Sequence, residues 1–193
     1  MYISDGNKKM SFATWSLPAQ KTCPGCTAQC SAKCYAKKAE RQYKTAMASR
    51  VQNLTDSQSE LFVGAMISEI IKSKAVKKYG MFRIHESGDF YSQEYLNKWI
   101  AICKKLPNVT FLAFTKSFQL DFSECPKNMQ IVWSVWPDTD MNALPKTGKY
   151  SYAGDCVPAD KIVIECVGHC DNCGICWQLD ANKHIDGVHF EIH

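Results

Sequence analysis

Seven of the eleven cysteines in this 193-residue chain fall in two tight groups: TCPGCTAQCSAKCYA, with Cys23, Cys26, Cys30 and Cys34, and CVGHCDNCGICW, with Cys170, Cys173 and Cys176. A thiol at every third or fourth position places several soft ligands on one turn or helix face, within the span of a zinc ion or an iron-sulfur cluster. The spacing favours the cluster. C-x2-C-x2-C supplies three thiolates from one short loop and leaves the fourth to a distant cysteine, as ferredoxin-like cluster loops do. Cys30 or Cys34, one helical turn apart, could be that fourth ligand, giving one shared 4Fe-4S site. The other arrangement has two clusters: one held near the N-terminus by three cysteines, the other closed by Cys156 with the late three.

A disulfide framework fits poorly. The segment MYISDGNKKMSFATWSLPAQ has no apolar run of signal-peptide length, and no stretch approaches the roughly 20 apolar residues of a membrane span. The chain reads as cytoplasmic, where thiols stay reduced. Cys103, in LNKWIAICKKL, reads as core, and Cys125 and Cys166 as structural.

The length and the 46% hydrophobic content suit one domain over residues 1–193, with cysteine motifs at 23–34 and 166–177. The net charge of +4 conceals an asymmetry, since residues 1–80 carry thirteen Lys and Arg against five Asp and Glu, and residues 81–193 ten against fourteen. A basic first part suits a nucleic-acid or phosphate partner, although lysines on solvated helix faces give the same count.

The elements that must carry the cysteines alternate. Ala32 to Arg50 reads as a helix, and SQSELFVGAMISEIIKSKAVKKYG as a second, with a capping box at Ser57 and Glu60 and a stop at Gly80. Met81 to Ile84 reads as a strand, SQEYLNKWIAICKKLP as a helix, and VTFLAFT, QIVWSVW and KIVIEC as further strands. Residues 138–160 lack clear periodicity and read as a long functional loop. This β and α order predicts a mostly parallel sheet covered by helices.

In such folds chemistry gathers at the carboxyl ends of the strands. Here those ends carry His85, Glu86, Ser87, Gly88 and Asp89, then Thr115, Lys116 and Ser117, then Asp138, then the second cysteine group. Arg83, His85, Glu86, Asp89 and Lys116 form the candidate pocket, suited to a small anionic or polar ligand or to ion pairs closing the sheet end. Trp133, Trp136 and Trp177 are placed beside that mouth, as packing or as a dry shell.

The order CPG-C-T-x2-C-x3-CYA, RIHESGDF, FTKS, C-x2-C-x2-CW resembles the phage-encoded gene product 88 family, from about Cys23 to Trp177. That family in turn resembles, more distantly, radical S-adenosylmethionine barrels. The resemblance implies a small or partial β/α (TIM-like) barrel carrying an iron-sulfur cluster, in a protein of the phage-infected host cytoplasm. It implies Cys23, Cys30, Cys34, Cys170, Cys173 and Cys176 as ligands. The family pattern has alanine in place of Cys26, and Val157 separates Cys156 from the proline that should follow it, so both stand outside the implied set.

Three functions follow as expectations. The first is an iron-sulfur protein with a redox or electron-transfer role and an unknown redox partner or small molecule. The second is a radical enzyme using S-adenosylmethionine, which the C-x6-C-x3-C spacing disfavours. The third is a structural zinc protein that binds nucleic acid or a protein.

Overall fold

Largely buried runs build the central strands, as a sheet covered on both faces requires, and every strand but the first runs the same way. The computed structural model describes residues 1–6 and 10–192. Strands β1 (Ile3–Ser4) and β2 (Ala13–Trp15) pair antiparallel. The chain then forms α1 (Ala28–Ala32), α2 (Tyr35–Gln42), α3 (Lys44–Gln58), α4 (Phe62–Lys72) and α5 (Lys74–Tyr79) before β3 (Met81–Ile84). Helix α6 (Gln93–Lys105) leads to β4 (Thr110–Thr115), followed by β5 (Met129–Val135), β6 (Lys149–Ala153) and β7 (Val163–Glu165). Last come α7 (Cys170–Cys173), two short 3-10 turns at Ile175–Trp177 and Leu179–Ala181, and β8 (Gly187–Phe190).

The sheet order is β1-β2-β3-β4-β5-β6-β8-β7, with parallel pairing from β2 onward. The α/β class and mostly parallel sheet match expectation; closure does not. β1 and β7 lie at opposite edges, so the sheet is open and not a barrel.

Topology explains what covers each face. From β2 to β6 the chain steps across the sheet in one direction, and right-handed crossovers then all lie on one face. That face buries Ala13, Trp15, Phe82, Ile84, Phe111 and Ala113 against α4 and α6, through Phe62, Met66, Ile70, Tyr95 and Trp99. The step from β7 back to β8 goes the other way, and the same handedness sends this crossover over the opposite face. Trp177 and Leu179 on it pack on Phe12, Leu112, Val132 and Val188. Trp177 meets Phe12 edge-to-face at 5.1 Å, and the amide of Asp180 donates to Gln130 Oε1 at 3.0 Å.

Several local expectations are corrected. The stretch read as one helix from Ala32 to Arg50 is broken at Tyr43, whose extended backbone lets α3 fold back so that buried Arg50 reaches the Ala36 carbonyl and Glu40. The second long helix is divided at Ser73, which caps α5 by accepting from the Val76 amide. Ser57 and Glu60 do not form a capping box. Ser57 is the buried penultimate residue before Gln58 ends α3, and its hydroxyl donates to the Leu54 carbonyl. Residues 138–160 are not one loop, since they contain β6. Gly80 ends α5 in the left-handed region, as read, and Ser92 caps α6 by accepting from the Tyr95 amide. Among the described residues no helix is long and apolar enough to cross a membrane.

Candidate metal centre

On the open face the outward residues change character along the strands. Toward their amino ends they are apolar and plugged by the crossing segment; toward their carboxyl ends Ser134, Ser151 and Ala153 are small. The result is a cavity of about 460 Å³ bordered by Arg83, Leu112, Phe114 and these three residues. Eight cysteines line it: Cys23, Cys26, Cys30 and Cys34 from the first group, and Cys166, Cys170, Cys173 and Cys176 from the second.

The first cysteine loop is bolted to the strand ends. Gly25 lies so close to β4 that a Cβ there would stand 2.0 Å from the Lys116 carbonyl oxygen. The Asp89 amide donates to the Thr22 carbonyl at 3.0 Å, and Gly88, at φ 84, leaves room for Leu17 and Thr22. Thr27 caps α1 by accepting from the Cys30 amide, and Asp138 Oδ2 accepts the Gln29 amide at 2.8 Å. Asp138 thus holds this loop through its side chain, and Asp89 through its backbone amide.

The second loop arrives differently. It follows β7 at the sheet edge and crosses the open face, where Asp171 accepts the Ser11 amide and hydroxyl, both at 2.7 Å. The two ends of the chain thus meet through a crossing segment and not through barrel closure.

The five candidate pocket residues divide. Arg83 lies over the Phe114 ring at 5.0 Å with Nε donating to the His85 carbonyl, and Lys116 lies over the Trp136 ring at 5.6 Å. Neither is in an ion pair among the described residues. Glu86 borders the cavity, with its carbonyl accepting from the Tyr35 hydroxyl. Asp89 is buried and accepts from the Thr115 hydroxyl at 2.6 Å, the Phe90 amide at 2.7 Å and the Lys116 amide at 2.8 Å. Burial pushes its carboxyl up, against the pull of those donors. His85 takes a left-handed backbone, φ 65, and its ring packs among Phe90, Tyr95 and Trp99. It is a core histidine at the edge of the cavity.

Among the remaining aromatics, Trp136 and Trp177 border the cavity, whereas Trp133 packs on the helix face and donates to the Thr147 carbonyl at 3.1 Å. Cys103 is buried in the core and Cys125 packs against it. Cys156 sits 3.3 Å from the Ala153 carbonyl and does not border the cavity. Cys166, read as structural, stands in the cavity wall, and Cys26, set aside as a local addition, does too. The signal for Cys166 was available: with it the late run is C-x3-C-x2-C-x2-C, four thiols in eleven residues.

Burial raises several of these thiols, Cys23 and Cys176 to about 12 and Cys26 to about 11. The thiols that perturb one another do so within their own group: Cys26 with Cys30 and Cys34, and Cys176 with Cys166, Cys170 and Cys173. Against that burial, Lys116 pulls Cys23 and Cys26 down in the first group and Arg83 pulls Cys170 and Cys176 down in the second. Among the described residues, no three His, Cys, Asp or Glu side chains close to the spacing of a single ion's shell. Beside the eight cysteines the lining holds His85, Glu86, Asp89, His169 and Glu191.

Two curated relatives, the Gene 88 proteins of Mycobacterium phage L5 and Mycobacterium phage D29, are 35% identical over 126 residues and 32% identical over 124. Each alignment covers 58% of this chain and 51% or 50% of the relative, so the chain spans about half the length of the curated relatives it matches. Their names state a gene number and lend no support to an iron-sulfur or radical-enzyme kinship. No solved structure matches. The family model described as Gene product 88 matches residues 2–162, which include the first cysteine group and stop short of the second. This chain belongs to the Gene product 88 family.

Proposed function

We propose that this protein is an iron-sulfur protein with a redox role. The observation that carries the reading is that eight of the eleven cysteines, from opposite ends of the chain, line one cavity. Their grouping favours two clusters over one shared site: Cys23, Cys26, Cys30 and Cys34 would hold one, and Cys166, Cys170, Cys173 and Cys176 the other. With four thiols in each group every iron of a cubane has a protein ligand, which suits electron transfer and leaves no open position for S-adenosylmethionine. Bound clusters would supply one-electron chemistry.

The surrounding residues suit that role. Thiols held neutral by burial ionise only when a cation replaces their protons, so loading would release protons. Arg83 and Lys116 offset the negative charge of thiolate-ligated metal, and Trp136 and Trp177 keep water from the site.

Anaerobic purification followed by iron, sulfide and zinc analysis, with electron paramagnetic resonance of the reduced protein, tests this. About eight irons per chain are expected, since each cubane holds four. About four would mean one shared cluster, and zinc alone would overturn the reading. Cys173→Ala should lose about half the iron, or all of it from a shared cluster, while Cys156→Ser keeps it all. Full iron in Cys173→Ala would remove that residue from the ligand set.

A further inference from the structure

Between Asp5 and Asp56 the chain has one acidic residue, Glu40. That carboxylate is turned inward, 3.0 Å from Arg50 Nη1 and accepting the Ala19 amide at 2.8 Å. The outward side of α2 carries Lys37, Lys38 and Arg41, opposite Ala36 and Glu40; Lys33 before it and Lys44 at the start of α3 are also exposed. None of these five is in an ion pair among the described residues, although Lys37 donates to the Gln20 side chain. Unopposed like charges at helical spacing repel one another, and a bound polyanion relieves that.

Beside these cations and the exposed Gln42 and Thr45, the face also presents apolar side chains. Tyr43, Met47 and Val51 follow at four-residue spacing and are 55%, 37% and 41% exposed, and Tyr35 is 57% exposed. Cations interleaved with exposed rings match a polyanion that carries flat apolar groups. A single nucleic-acid strand has both parts, whereas a duplex hides its base faces and an acidic protein surface uses the cations but not the rings. Lys33 and Tyr35 also border the cavity, so the patch runs into its mouth.

We propose that the α2–α3 flank binds single-stranded nucleic acid, whose backbone passes the mouth of the cysteine-lined cavity. The interface stands on surface charge and rings and does not rest on the presence of clusters.

The test is fluorescence anisotropy of a labelled 20-nucleotide oligothymidylate with the anaerobically purified full chain over a series of salt concentrations. With five phosphate contacts, the logarithm of affinity should fall against the logarithm of salt with a slope of about −3.5. Lys38→Glu combined with Arg41→Glu should weaken binding at least about tenfold. Tyr43→Ala should weaken it about fivefold or more with the slope unchanged, through lost stacking. Lys146→Glu, exposed in the β5–β6 connection, should leave it within about twofold. The proposal is overturned if binding lacks salt dependence, if a duplex binds as well, if polyglutamate at equal charge displaces the strand, or if Lys146→Glu weakens binding equally. Thermal unfolding checks each variant's fold; should the double reversal unfold, Lys38→Gln and Arg41→Gln singly carry the same sign. Iron content is measured on the same samples, so failed strand binding with full iron separates this proposal from the cluster reading.

Discussion

At His85 the ring is enclosed by aromatic neighbours, with Nε2 3.0 Å from the Tyr95 hydroxyl and Nδ1 without a partner among the described residues. Tyr95 accepts from Trp15 Nε1 at 2.9 Å and so can donate its own proton to His85. Burial first, and the Arg83 charge second, push the imidazole down to about 3. The folded state therefore holds His85 neutral, while the unfolded chain protonates it near its ordinary value of about 6.5. Stability from this group is fully present above about 6.5 and is lost as pH falls through about 3, at about 1.4 kcal/mol per unit. Between pH 6.5 and 5 the wild type should lose about 2 kcal/mol that His85→Phe does not, read as the difference between their denaturant unfolding curves. Equal losses would place the acid sensitivity elsewhere. Sequence position alone set His85 at the mouth, because a histidine after MFRI stands at a strand's carboxyl end. What turns its ring inward is a left-handed backbone at a non-glycine residue, which no local pattern announces.

Among the elements, the first cysteine loop depends on a close backbone approach. A Gly25 side chain would collide with the Lys116 carbonyl, and a peptide group cannot swing away as a flexible side chain can. Gly25→Ala should cost about 1–3 kcal/mol and, if the first group holds a cluster as proposed, reduce the iron bound, seen in thermal unfolding and metal analysis together. Unchanged stability and iron would mean that the loop does not lean on β4. The TCPGCT run already showed this glycine, but not its partner, which is ninety residues away. The same contrast runs through the fold. Amphipathic α6 with its Ser92 cap, and the apolar strands β3, β4 and β5, were legible because local pattern decides them. β6 was not, because Lys149-Tyr150-Ser151-Tyr152-Ala153 has no aliphatic run and gains its burial from neighbours on both sides. The helix breaks at Tyr43 and Ser73 serve tertiary contacts, among them the Arg50–Glu40 pair, and leave little local trace. Cys166 was set aside for following an apolar strand, although that strand ends on the cavity wall.

Across the whole molecule, one open sheet brings together two cysteine loops of unequal support. The first is tied to β3, β4 and β5 through Asp89, Lys116 and Asp138. The second rides a crossover whose anchors are Trp177, Leu179 and the Asp171–Ser11 pair, and its Cys166 and Cys173 are exposed. Local openings draw on the contacts a segment has, so under the proposed cluster reading the two loops should respond differently when metal is stripped. After anaerobic chelation, amide hydrogen exchange across 166–176 should speed up by about tenfold, a loss of about 1.4 kcal/mol of local protection. Residues 22–30 should change by less than about threefold, because their hydrogen bonds to the strand ends do not involve metal. Equal acceleration in both loops would mean that metal, and not the sheet, holds the first one too. No acceleration in either would mean that the crossing segment is fixed by Trp177 and its neighbours without help from the thiols.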